Sequence, residues 1–77
     1  MKIKVHYYGQ LTEITQKSEE IVDINASTVK DFKKELIQLH PELKNRTFQV
    51  AQNNTIQGEK DPLTALTIDL LPPFSGG

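Results

Sequence analysis

Residues 28–41 carry the pattern that most restricts this chain: one amphipathic helix, set between segments that alternate like strands. Val29, Phe32, Leu36 and Leu39 recur at spacings of three, four and three, which predicts one apolar stripe along a helix. Lys30, Lys33, Lys34, Glu35 and Gln38 occupy the rest of its surface. Thr28, with Asp31 three residues later, forms a variant of the capping box in which Asp replaces the usual Glu. Pro41 stops the helix, because the residue before a proline, here His40, is driven out of helical geometry. A single helix must bury its stripe against one face of whatever the other segments build.

Those segments read as strands. Ile3, Val5 and Tyr7 alternate with Lys2, Lys4 and His6 over residues 2–8, the period of a half-buried strand. Gly9-Gln10 breaks that pattern, and Leu11 and Ile14, three apart, predict a short turn covering one edge of the core. Residues 20–24 predict a second strand, joined to the first through the polar loop Thr15 to Glu19. Residues 48–51 predict a third strand, followed by the turn signal Asn53-Asn54. Residues 67–71 predict the last, ended by Pro72-Pro73. The order strand, strand, helix, strand, strand predicts an α+β, single-domain β-grasp (ubiquitin-like) roll. Its mixed sheet is covered by one main helix, and the first and last strands lie side by side. The expected division is a domain over residues 1–71 and a flexible tail over 72–77.

Size and composition narrow the function. Seventy-seven residues make one domain. A chain this short buries only about 60% of the surface its unfolded form exposes, which leaves little room for a deep private active site. The net charge of −1 gives no basic footprint for nucleic acid. No apolar run approaches the ~20 residues of a membrane span, and the alternating start Met1-Lys2-Ile3-Lys4-Val5 is unlike a signal peptide. A cytoplasmic protein without nucleic-acid or membrane partners is expected. There is no cysteine, so disulfides, thiolate metal sites and a cysteine nucleophile are excluded. Any sulfur the chain handles must ride on another group.

The last six residues, Pro72-Pro73-Phe74-Ser75-Gly76-Gly77, supply one. Two prolines fix φ and aim the chain away from the sheet. Gly76 and Gly77 lack a Cβ and can thread a narrow channel. A glycine carboxylate at such a tip can attack the α-phosphate of ATP in another protein's active site. The acyl-adenylate so formed is an activated carbonyl, open to a sulfur nucleophile. A bare Gly-Gly is a weak signal, but it is a strong one when it follows the final strand of a β-grasp pattern and a double proline.

The whole chain resembles the MoaD/ThiS family of β-grasp sulfur carriers. The resemblance rests on residues 3–11 (Ile-Lys-Val-His-Tyr-Tyr-Gly-Gln-Leu), on Val50-Ala51-Gln52-Asn53, and on residues 71–77. Pro72-Pro73 is similar to the molybdopterin branch of that family and not to its thiamine branch. Two positions depart from the pattern: Phe74 stands where a smaller aliphatic residue is usual, and Leu66-Thr67 replaces a common Gly-Asp before the last strand.

The resemblance implies that Gly77 is the reacting residue, adenylated by an ATP-dependent adenylating enzyme and then converted to a thiocarboxylate. It further implies a tail of Pro72, Pro73, Phe74, Ser75 and Gly76 inserted into the large subunit of molybdopterin synthase, where sulfur passes to cyclic pyranopterin monophosphate for molybdenum cofactor biosynthesis. On this reading the chain is a subunit and co-substrate with no activity alone. It binds no cofactor beyond the covalent adenylate or thiocarboxylate on Gly77.

A carrier also needs a docking face. If Ile68 and Leu70 face the helix, Leu71 points outward, and Tyr8 points away from Ile3, Val5 and Tyr7. Ile56 follows the Asn53-Asn54 turn amid polar neighbours. Tyr8, Ile56 and Leu71 are the expected partner-binding residues, and the resemblance implies partner contacts at the same positions. His6 and His40 lack metal-ligand spacing, so structural roles are expected for both and no metal site is predicted. Three functions fit the sequence: the molybdopterin sulfur carrier, a carrier for thiamine or another thiolation pathway or a ubiquitin-like protein modifier, and a plain β-grasp interaction module with an incidental Gly-Gly.

Overall fold

The computed structural model describes residues 1–73. Five strands form one mixed sheet among them: β1 (Lys2–Tyr7), β2 (Glu19–Asp23), β3 (Gln49–Gln52), β4 (Thr55–Gln57) and β5 (Thr67–Leu71), in the order β2-β1-β5-β3-β4. Two helices accompany them: the short α1 (Gln10–Thr15) and the main helix α2 (Val29–Leu39), which runs into a single 3-10 turn at Pro41–Leu43. β1 and β5, the first and last strands of the chain, pair in parallel at the centre of the sheet, and the other pairs are antiparallel. This is the β-grasp roll that the order of segments predicts.

The helix forms for the reasons its sequence gives. Thr28 is extended, and its hydroxyl accepts the Asp31 N–H at 3.3 Å, satisfying one of the donors a helix start leaves open. The Val29 and Lys30 N–H groups donate to the carbonyls of Asp61 and Glu59, both at 3.0 Å, so the loop before β5 completes the cap. Val29, Phe32 and Leu36 are fully buried against Ile3, Val5, Tyr7, Val22, Val50, Ile68 and Leu70 on the inner face of the sheet.

Leu39 does not join them. It is 54% exposed, a correction to the four-residue stripe. The chain turns at Pro41, and Leu43, fully buried, closes that end of the core in its place. A second difference is β4, a strand of three residues absent from the sequence reading. The asparagines at 53 and 54 have φ of 55° and 61°, the two left-handed residues of a type I′ turn, and fold β4 back on β3.

Gln52 and Thr15 are the buried polar side chains among the described residues, and Gln52 is the more enclosed. It is 4% exposed, and both ends of its amide are used. Its Nε2 donates to the Pro62 carbonyl at 2.7 Å and to Gln57 Oε1 at 3.2 Å. Its Oε1 accepts the N–H groups of Thr64 and Ala65, each at 3.1 Å. One side chain thus ties down the irregular segment between β4 and β5 and sets where the central strand begins.

Candidate functional site

Alternation fixes which side chains reach the outer face of the sheet. In β5, Ile68 and Leu70 are fully buried beneath α2, while Thr67, Asp69 and Leu71 project from the opposite face. Register carries that face across the neighbours. Asp69 lies between His6 of β1 and Ala51 of β3, and Ala51 in turn pairs with Ile56 of β4. Tyr8 continues β1 with its N–H on the Leu70 carbonyl at 3.1 Å, beside Leu71. Tyr8 is 43% exposed, Ile56 is 50% exposed and Leu71 is half-buried.

All three residues expected to dock therefore lie on one face. Tyr8 and Leu71 are neighbours, and Ile56 stands two strands away across Ala51. Ile21, 68% exposed, shares this face through its pairing with Lys4. Sequence reasoning passed over it, although its alternation with the buried Val22 was the available signal. Leu66, 63% exposed, lines an open groove with Asn53, Asn54, Thr67 and Asp69 at the other end of the same face.

The candidate tail leaves from the middle of this arrangement, because β5 is the central strand. Pro72 is half-buried, and Pro73 is exposed. The Pro72 ring sits on Gly9: a Cβ built at Gly9 would lie 3.0 Å from Pro72 Cγ. Gly9 has φ 58° and ψ −135°, a backbone region closed to L side chains. The residues Phe74, Ser75, Gly76 and Gly77, expected to carry the reacting end, lie outside the described residues.

The two histidines have separate surroundings. His6 stands on the outer face, its ring 6.4 Å from that of Tyr8. His40 lies at the end of α2, where its Nε2 is 2.5 Å from Glu20 Oε2 and its ring meets Tyr7 edge-on at 6.0 Å. The Tyr7 hydroxyl donates to the same Glu20 oxygen, and Lys17 Nζ lies 3.4 Å from the other. Burial opposes the charge on Glu20, but the Tyr7 and His40 hydrogen bonds and the charges of His40 and Lys17 outweigh it and hold the carboxyl below the ordinary value. Burial first, and then the Glu20 carboxylate, push the Tyr7 hydroxyl far up. This cluster clips β1, β2 and the end of α2 together on the side of the sheet away from the docking face. Among the described residues no group of three or more His, Cys, Asp or Glu is placed to hold a metal ion. No helix among them is long and apolar enough to cross a membrane.

Comparison with known proteins decides the family. The profile of the ThiS family matches residues 5–77, nearly the whole chain. The chain belongs to the ThiS family. Solved structures agree with this ubiquitin-like, MoaD/ThiS-type fold. The chain is similar to SAMP1 from Haloferax volcanii over 100% of both chains, with 24% identity and a TM-score of 0.82. It is similar to a putative molybdopterin converting factor subunit 1 from Pyrococcus furiosus over 95% of this chain and 98% of that one, with 19% identity and a TM-score of 0.83. A complex of subunits 1 and 2 of molybdopterin-converting factor from Helicobacter pylori contains a chain matched over 100% of both, with 25% identity and a TM-score of 0.64. This ThiS-family chain is thus a small protein of the β-grasp fold.

Proposed function

We propose that this ThiS-family protein is the sulfur-carrying small subunit of a molybdopterin synthase. The observation that carries the reading is the exit of Pro72-Pro73 from the central strand, beside the outward-facing Tyr8 and Leu71. A partner that covers this face lies where it can also receive the segment that follows. The Pro-Pro-Phe-Ser-Gly-Gly ending and the full-length likeness to a chain of the Helicobacter pylori subunit complex support a large-subunit partner.

On this reading the Gly77 carboxylate attacks the α-phosphate of ATP in an adenylating enzyme and expels pyrophosphate. A sulfide-equivalent nucleophile then adds to the acyl carbon, AMP leaves, and Gly77 ends in a thiocarboxylate. The tail enters the large subunit, and sulfur passes to cyclic pyranopterin monophosphate. The chain supplies the reacting carbonyl and the docking face, and the large subunit supplies the acid-base groups and the substrate pocket. The protein is not an enzyme alone, and the adenylate and thiocarboxylate are its covalent intermediates. A protein modifier is the second reading, favoured by the full-length likeness to SAMP1.

One experiment separates the two. The thiocarboxylated protein is mixed with a molybdopterin synthase large subunit and the cyclic precursor, and the dithiolene product is followed as its fluorescent oxidised derivative. Product formed in proportion to carrier consumed supports the synthase role. No product, together with Gly77–lysine conjugates in cells expressing a tagged copy, overturns it in favour of the modifier.

A further inference from the structure

We infer that Gly9 is a positioning residue that sets the direction in which the tail leaves the sheet, acting through the ring of Pro72. Its backbone, at φ 58° and ψ −135°, is close to the mirror image of polyproline II and is closed to L residues with a side chain. Gly9 is also pinned from both sides. The Tyr8 N–H is held by the Leu70 carbonyl at 3.1 Å, and the Gly9 carbonyl accepts the Thr12 N–H at 3.1 Å. The Thr12 hydroxyl donates to the Tyr7 carbonyl at 3.1 Å, and Leu11, the next anchor, is buried in the core. Gly9 therefore cannot retreat from a crowding atom.

Pro72 is bound to the chain only through the end of β5 and leads into the tail. A Cβ at position 9 would stand 3.0 Å from Pro72 Cγ and 3.6 Å from Cδ, tighter than ordinary carbon contact. Of the two partners, Pro72 is the one free to move. The bare backbone at Gly9 is thus a seat for the proline ring, and the seat fixes the course of the chain at Pro72 and Pro73.

The functional consequence rests on the carrier reading: a misdirected tail reaches the adenylating site in the wrong geometry while docking is unchanged. Misplacement of about 1 Å can cost on the order of 100-fold in rate. Gly9→Ala is expected to lower kcat for ATP-dependent adenylation by about 10- to 100-fold, with KM for the carrier within about two-fold of wild type. Adding Pro72→Ala to Gly9→Ala removes the ring contact and leaves only the backbone strain at position 9, so kcat should recover toward that of Pro72→Ala alone.

The geometry is tested without any enzyme. The chain has no cysteine, so Ser75→Cys gives a unique site for a nitroxide, whose broadening of backbone amides by NMR maps where the tail lies. Gly9→Ala should change which amides are broadened, and the double variant should lie closer to Pro72→Ala than Gly9→Ala lies to wild type. A Gly9→Ala pattern equal to wild type overturns the inference, as does a double variant that departs from Pro72→Ala as far as Gly9→Ala departs from wild type. If Gly9→Ala does not fold, Pro72→Ala and Pro73→Ala decide. Only Pro72→Ala vacates the seat, so equal effects from the two overturn the role of Gly9. A wild-type protein that is never adenylated refutes the carrier reading and leaves the nitroxide result to judge Gly9 by itself.

Discussion

Replacing Gln52 by Ala should destabilise the protein more than any other neutral polar substitution, and the structure says by roughly how much. The side chain is 4% exposed and holds three backbone groups, the Pro62 carbonyl at 2.7 Å and the Thr64 and Ala65 N–H groups at 3.1 Å. Each such bond contributes about 1 kcal/mol net, and a backbone group left buried without a partner costs about 1–3 kcal/mol. The Gln57 contact, nearer solvent, adds little. The expected loss is about 3–4 kcal/mol, or roughly 12–30 °C in Tm for a domain of this size.

The damage should spread in a defined direction. The loop that Gln52 restrains also caps α2 through the Asp61 and Glu59 carbonyls, so the Val29 and Lys30 amides should exchange faster than those of β1. Thermal unfolding by circular dichroism gives the magnitude, and hydrogen exchange gives the location. Gln52→Leu, which keeps the volume and loses the bonds, should behave like Gln52→Ala. If Gln52→Leu unfolds within about 1 kcal/mol of wild type, the bonds do not matter and shape alone explains the burial.

Two further outcomes are expected. Leu71→Asp should weaken binding to a large subunit by about 2 kcal/mol or more in calorimetric titration and leave the monomer folded, whereas Leu70→Asp places a charge at a fully buried site and should unfold a domain whose total stability is about 5–15 kcal/mol. The reverse result would mean that the register of β5 is off by one. The Glu20 carboxyl is depressed below its ordinary value of 4.5, so the stability it contributes is complete above that value and is lost as pH falls through the lower, folded-state value. Tm measured from pH 7 to pH 3 should therefore decline more steeply for wild type than for Glu20→Gln, and parallel curves would refute this role for the Tyr7–Glu20–His40 cluster.

Much of the fold was legible because its signals are local. The stripe Val29, Phe32, Leu36, the cap at Thr28, the stop at Pro41 and the alternation in β1 and β5 each lie within a few residues. The outward placement of Leu71 followed from the burial of Ile68 and Leu70 by the same rule. What escaped depends on residues distant in sequence or on strands too short to show a period. β4 has three residues and an exposed centre, so nothing alternates, and it is defined only by its pairing with β3. Leu39 satisfies the helical spacing, but burial at that end depends on Leu43, which reaches the core through the 3-10 turn. Glu20 meets Tyr7 and His40 across 13 and 20 residues, and Gln52 meets Thr64 and Ala65 across 12 and 13. The seat of Pro72 on Gly9 joins two matched segments whose contact only the parallel pairing of β1 with β5 creates.

The central claim is that Gly77 carries sulfur, and intact-mass spectrometry tests it most directly. The protein is co-expressed with an adenylating enzyme and a sulfur donor, then purified under conditions that spare a thiocarboxylate. The account predicts a gain of about 16 Da, one oxygen replaced by sulfur, localised to Gly77 by fragmentation and absent from a variant with one residue added after Gly77. An unchanged mass, with the enzyme pair shown to be active on another carrier, would contradict the account.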